Sequence, residues 1–336
     1  MGGGAMRVLL TGGGGFLGGA IARALVASGH SVRSFSRGHY PALEAAGVQH
    51  VSGDLADRDA VIAAARGCDA VVHTAAKAGV WGEPREYRRA NLDGTRNVLA
   101  ACRAHAIPRL VYTSTPSVVH RPGGVEGGDE SLPYTSEPDV TPYVETKTRA
   151  EREVLEAHGR PTSVVALRPH LVWGPGDPHL VPRILARGRR GRIALPGGGR
   201  ARVDTVYVDN AADAHVAALE HLAPDAVCAG KAYFVSNGEP MPLRDIVLGI
   251  LEAGGVERPR VVPVPRRLAR VAGAALERAY RAAKIEREPP LTRFVAESLS
   301  TPHWFDIGAA RRDLEWTPRV SIAEGLDRLR AALREA

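Results

Sequence analysis

Short apolar runs alternate with helical stretches through the first half of the chain. Arg7–Thr11, Ser31–Phe35, Val48–Ser52, Ala70–His73, Arg109–Thr113 and Val164–Arg168 read as strands. Between them, Ala20–Ser28, Asp57–Arg66, Glu86–His105 and Thr141–Gly159 read as helices. The last has Thr141 at the capping position, Pro142 at its first turn and Gly159 past its end. Strands and helices taking turns build βαβ units, and hence a parallel sheet wrapped by helices.

After Pro169 the texture changes. Proline, glycine and arginine crowd WGPGDPH and ARGRRGRIALPGGGRAR. Core-like runs return at Val203–Val208 and Ala232–Ser236, and from Gly238 the pattern is mostly helical with proline-rich breaks. The expected organisation is a nucleotide-binding part over 6–169, joined by 203–237, and a smaller substrate part over 170–202 and 238–336. In the latter, Leu268, Val271, Ala272, Ala275, Leu276 and Ala279 make an apolar helical stripe among Arg266, Arg267, Arg270 and Arg278. Domain packing is the expected use of that stripe; contact with a membrane surface is its alternative.

With 336 residues, 44% of them apolar, the chain can bury a sizeable core. No apolar run approaches the roughly 20 residues that span a bilayer. MGGGA is read as a leader outside the fold, with no signal-peptide order of regions. Cys68, Cys102 and Cys228 are far apart, and the histidines show no ligand spacing. Disulfides and metal are therefore not expected, and a reducing cytoplasm fits. The net charge of +7 is carried by dispersed arginines without a basic run, so nucleic acid is not expected.

Leu9–Ala20 reads LLTGGGGFLGGA: a strand, a knot of glycines, then a helix. Such a loop lets phosphate approach the backbone and the helix N-terminus. Gly12, Gly15 and Gly18 satisfy one glycine register; Gly13, Gly15 and Gly18 satisfy another, and both stay open. No Asp or Glu occurs between Ser28 and Leu43, where an NAD-preferring unit places its ribose-binding acid. Ser36 and Arg37 stand there instead, and they suit a 2′-phosphate. The cofactor read from the loop is therefore NADP(H).

Tyr143 and Lys147, in Tyr-Val-Glu-Thr-Lys, lie one helical turn apart. A tyrosine titrates near ~10, so it needs a cation beside it to exchange protons near neutrality. The helix follows a strand ending in hydroxyl residues, VYTSTPSV, so Thr115 or Ser114 could bond the same carbonyl oxygen.

TGGGGFLG, GDLAD, HTAA, NLDGTRNVL, VYTSTPSV, PYVETK, LRPHLVWGPGD and VYVDNAADAH follow the order found in extended short-chain dehydrogenases/reductases. The chain resembles their 3β-hydroxysteroid dehydrogenase branch over nearly its whole length. HTAAKAGVWG, YTSTPSV and PLTRFVAESLSTPHW resemble the branch's reductases of condensed 2-alkyl-3-oxo acids in bacterial long-chain olefin formation. The resemblance implies a Rossmann-type doubly wound parallel sheet. It implies pyrophosphate on Gly12, Gly15 and Gly18, with Phe16 and Leu17 beside them. Asp54 and Leu55 would border the adenine, Ala75 and Ala76 would lie beneath the cofactor, and Arg168 and Pro169 near the nicotinamide. Thr115 takes the usual catalytic serine's place, with Ser114 its rival; Tyr143 is the acid and Lys147 its activator and a ribose ligand. The activity implied is NADPH-dependent reduction of a 3-keto group. Lys77 and Arg202 are the expected carboxylate partners and Trp81 a border of the substrate mouth. His73 is expected to be a core residue or one that supports the site from behind, not a ligand.

A homodimer, a long-chain acyl substrate, association with β-lactone-forming and decarboxylating enzymes, and at most peripheral contact with the inner membrane complete the expectation. The alternatives are a steroid or sterol-4-carboxylate 3-dehydrogenase and a regulator that senses NADP without turnover.

Overall fold

The computed structural model describes residues 4–136, 140–159, 161–256 and 259–335. Residues 1–3 of the expected leader lie outside them. Seven strands form one parallel sheet: β1 (Arg7–Thr11), β2 (Ser31–Ser36), β3 (Gln49–Ser52), β4 (Ala70–His73), β5 (Arg109–Thr113), β6 (Ser163–Pro169) and β7 (Lys231–Val235), in the order β7-β6-β5-β4-β1-β2-β3. The order reverses between β1 and β4, which opens a crevice at the carboxyl ends of these strands.

The sheet is buried on both faces because successive side chains point to opposite sides. Val8 and Leu10 enter one core cluster, with α1 (Phe16–Ala27). Leu9 enters the other, with α2 (Arg58–Ala65) and α3 (Gly94–Ala104). The remaining long helices are α4 (Pro142–Glu156), α5 (Leu180–Gly188), α6 (Val208–His221), α7 (Leu243–Ala253), α8 (Arg266–Ala282) and α9 (Ile322–Glu335).

Several expected elements take a different form. The run Glu86–His105 is not one helix: a turn over Pro84–Tyr87 passes through a π-helical stretch, Arg88–Asp93, into α3. The widened turn carries Asn91, whose role appears below. Val203–Val208 is two short strands, Arg202–Val203 and Val206–Tyr207, and Val208 opens α6. The part after Gly238 also contains strands, at Met241–Pro242, Arg260–Val264 and His303–Phe305. Proline-rich runs such as RVVPVP, which look like helix breaks, supply an edge strand paired with Arg192–Pro196.

The stripe on α8 does not pack inward. Leu268 and Val271 are 59% and 66% exposed, whereas Ala269, Gly273 and Glu277 face the protein. Gly273 sets this orientation, because a Cβ there would come within 2.7 Å of the Thr292 backbone. The Glu277 carboxylate then accepts from the Arg293 backbone N–H and Nε at 2.7 and 3.0 Å. Expected as a packing face, the stripe is instead a surface feature.

Candidate active site

The crevice holds a cavity of about 570 Å³ lined by Gly12, Gly14, Gly15, Ser36, Arg37, Tyr40, Asp54, Leu55, Ala75, Ala76, Lys77 and Arg89, among others. Gly12 has φ +78, and a Cβ on it would stand 2.7 Å from Ala75 Cα; a Cβ on Gly18 would overlap the Gly12 carbonyl. Helix α1 starts at Phe16 with Gly15 as its cap and no side-chain cap bond, so its first N–H groups stay available to an anion. These features favour the register Gly12, Gly15, Gly18. Phe16 and Leu17 turn their side chains onto the core. A cradle of backbone N–H groups, closed to side chains and opening on a cleft of this size, fits a nicotinamide dinucleotide.

At the far edge of the cleft, Ser36 Oγ donates to the Gly38 carbonyl at 3.0 Å and shapes the turn. Arg37 is exposed, and no acid pairs with it among the described residues. Asp54 accepts from Arg89 at 2.7 Å, and Leu55 O accepts from Asn97 at 2.7 Å. Tyr40 lies against Gly14, where a Cβ would overlap its ring.

Strand β5 runs straight into Ser114 and Thr115. Thr115 caps the short helix Pro116–Val119, accepting from Ser117 N at 3.2 Å. Its hydroxyl also lies near enough to the Tyr143 phenol to favour the phenol's ionised form. Thr115 and Tyr143 are therefore brought together, whereas the Ser114 hydroxyl is buried without a partner. Burial pushes the Tyr143 phenol above its ordinary value, and the nearby Thr115 hydroxyl opposes that shift.

Lys147 is fully buried one turn along α4. Its Nζ donates to the Tyr112 hydroxyl at 2.7 Å and the Thr113 carbonyl at 2.6 Å. That leaves one N–H free. Contrary to expectation, the ammonium group is committed to β5 rather than to Tyr143. Burial lowers Lys147 to about 7, against the pull of Glu151.

A buried polar chain extends from Tyr112. Thr95 lies near its hydroxyl and favours its ionised form, and Thr95 Oγ1 donates to Asn91 O at 2.6 Å. Thr95 Oγ1 therefore accepts from His73 Nε2, 2.9 Å away, and His73 Nδ1 accepts from Thr11 Oγ1 at 2.6 Å. Burial pushes His73 down to about 3, so it is a neutral strut. Asn91 accepts from Lys77 N at 2.7 Å and donates to Lys77 O at 3.1 Å and Thr146 Oγ1 at 3.2 Å. It ties the loop after β4 to α4. Asn91, Tyr112 and Thr95 carry no expected role from the sequence. The signal available was the polar residue inside an otherwise apolar face of NLDGTRNVL, and the tyrosine of VYTST.

Arg168 does not line the cleft. It forms a buried ion pair with Glu151, with contacts of 2.5, 3.1 and 3.2 Å, on the same helix as Lys147. Pro169 ends β6, paired with Val235. Lys77 lines the cleft and is paired with Glu86. Trp81 Nε1 donates to Ile285 O at 3.3 Å, and its ring meets Tyr280 and Arg281. Arg202 stands apart from the cleft and is exposed; it donates to Pro240 O at 2.8 Å, because its short strand belongs to a separate four-stranded sheet.

This arrangement can bind a dinucleotide and present paired hydroxyls, Tyr143 and Thr115, to a carbonyl oxygen at the sheet's carboxyl end. The chain is 54% identical to the 2-alkyl-3-oxoalkanoate reductase of Stenotrophomonas maltophilia, over 97% of this chain and 99% of that one. It is 48% identical to the protein of the same name from Shewanella oneidensis, over 97% and 86%. In structure it is similar to the UDP-glucose 4-epimerase of Thermus thermophilus in complex with NAD, with TM-score 0.75, 27% identity and coverage of 98% and 100%. Residues 9–266 match the model of the 3-beta hydroxysteroid dehydrogenase/isomerase family, and the chain belongs to that family.

Proposed function

We propose that this protein reduces the 3-keto group of 2-alkyl-3-oxoalkanoic acids to the 3-hydroxy acid with NADPH, within long-chain olefin formation. The observation that carries the reading is the proximity of the Tyr143 and Thr115 hydroxyls at the carboxyl end of the sheet that carries the dinucleotide cleft, in a chain about half identical to reductases of that name along their length. The nicotinamide cofactor supplies hydride to the carbonyl carbon. Thr115 holds the substrate oxygen, and Tyr143 Oη gives it the proton that completes the alcohol. Lys147, with one donor left, serves the ribose side of the cofactor. Arg37, a cation at the end of β2 with no acid partner among the described residues, supports NADP over NAD.

The reading includes a homodimer and hand-over of the hydroxy acid to enzymes that close and decarboxylate a β-lactone. It also includes peripheral contact with an anionic membrane, supported by the exposed apolar stripe of α8 between its arginines. The test is NADPH consumption with 2-alkyl-3-oxo acids beside a panel of 3-oxosteroids. Turnover of the acids supports the reading. Turnover of the steroids alone moves it to the steroid branch.

A further inference from the structure

A second cavity, of about 510 Å³, lies between α5, α7 and the short helix Arg293–Ser298. Its wall is aliphatic: Ile184, Ile193, Leu195, Ile246, Val247 and Ile250 are all buried, and no aromatic side chain lines it. Protein interiors pack to crystal density, so a space of this size among buried isoleucines is a built feature, in the range of small-molecule sites.

One end of it lies at the loop that follows β6. Leu171 and Thr205 line it, and Leu171 lies two residues beyond the end of β6. Strands β6 and β5 are neighbours, with Leu167 opposite Thr113, and β5 leads directly into Ser114 and Thr115. Leu171 holds φ +44, a conformation that costs a non-glycine residue energy and fixes the chain at this mouth. A row His303–His170–Asp204 braces the same corner, with contacts of 3.1 and 2.5 Å.

The outer wall is the strap Arg287–Pro290. Glu288 accepts from Arg183 through both oxygens at 3.0 Å, and Arg187 donates to Pro290 O at 2.8 Å. A slot with polar groups at both ends and only aliphatic carbon between them matches a flexible hydrocarbon chain.

We infer that this cavity is the chamber for one alkyl chain of the substrate, with the reacting carbonyl left at Tyr143 and Thr115. The inference deepens the proposed reductase activity and rests on it for the identity of the head group.

The test uses the full chain loaded with NADP⁺ or NADPH and two variants, Val247→Phe, which fills the chamber, and Val247→Ala, which enlarges it. kcat/KM is followed along a series of 2-alkyl-3-oxo acids differing in one tail. Binding of dodecanoate to the NADP⁺ form is measured by calorimetry, with NADPH affinity as the folding control. In the parent, kcat/KM should rise about fourfold per methylene, the ratio that ~0.8 kcal/mol per buried methylene converts to, until the chamber is full. Val247→Phe should cut the ratio of long-tail to short-tail kcat/KM at least tenfold and weaken dodecanoate by a similar factor. Val247→Ala should move the optimum to a longer tail. If both variants leave the length series and dodecanoate binding as in the parent, the chamber is overturned while the activity stands. If no 2-alkyl-3-oxo acid turns over but dodecanoate binding responds to Val247, the chamber stands and the substrate reading falls.

Discussion

The Lys147 ammonium group stands 2.7 Å from the Tyr112 hydroxyl and 4.2 Å from the centre of its ring, sealed from solvent. Burial holds it at about 7, far below a free lysine. From about pH 7 up to the ordinary lysine value, the unfolded chain binds this proton and the folded one does not, so stability rises with pH. Below about 7 both states carry the charge and the full cost of burying it remains. For the cofactor-free protein, stability relative to Lys147→Met should therefore climb by on the order of a few kcal/mol between pH 7 and 9.5. Urea midpoints of both proteins across that range check it. Parallel curves would show that Lys147 titrates normally.

The contact between Thr115 and Tyr143, with Ser114 left unbonded, separates the two candidate hydroxyls. Tyr143→Phe removes one hydroxyl and little volume. It should lower kcat by roughly 10²–10⁴ and leave NADPH binding nearly as it was. Thr115→Val should also lower kcat, Thr115→Ser should restore most of it, and Ser114→Ala should do little. Single-turnover rates for the four proteins decide the order. A larger loss for Ser114→Ala than for Thr115→Val would reverse the assignment.

Arg37 stands at the end of β2 with no acid paired to it among the described residues. A charge-assisted bond to a 2′-phosphate is worth about 1.5–3 kcal/mol, so NADPH should exceed NADH in kcat/KM by roughly one to two orders of magnitude. Arg37→Ala should remove most of that preference, and Ser36→Asp with Arg37→Ala should reverse it. Equal kcat/KM for both cofactors in the parent protein would sink the idea.

The central sheet was legible because each strand is an apolar run ended by a turn, and because LLTGGGGFLGG puts glycine where backbone meets Ala75 and the helix start. Tyr143 and Lys147 were legible through their one-turn spacing. What each side chain bonds was not. Lys147 turns to Tyr112, on a strand 35 residues earlier, because the sheet puts β5 beneath α4. Arg168 reads as an active-site arginine from its strand end, yet strand alternation points it at Glu151. The stripe on α8 misled because an apolar row normally packs inward. Here Gly273 and Glu277 dock the helix, since only a residue without a side chain lets α8 approach Thr292. Arg202 failed because a loop rich in arginine gives no sign of which arginine faces inward.

The Arg168–Glu151 pair lies one turn beyond Lys147 on α4, and its members are buried with side chains 4% and 0% exposed. Removing one partner strands the other's charge in the core. Arg168→Met should thus cost about 3–5 kcal/mol, whereas Arg168→Met with Glu151→Met should recover most of it, because a buried pair is replaceable by well-packed apolar groups. The double variant should still differ from the parent at Lys147. Glu151 is the group that holds the lysine's proton on against burial, so without it Lys147 should release that proton at a lower pH. The rise in stability relative to a matching Lys147→Met protein should then begin below pH 7. Denaturation of the four proteins from pH 5.5 to 9 measures both effects. An unrecovered loss in the double variant would mean that packing around Arg168, rather than its charge, holds this corner of the sheet.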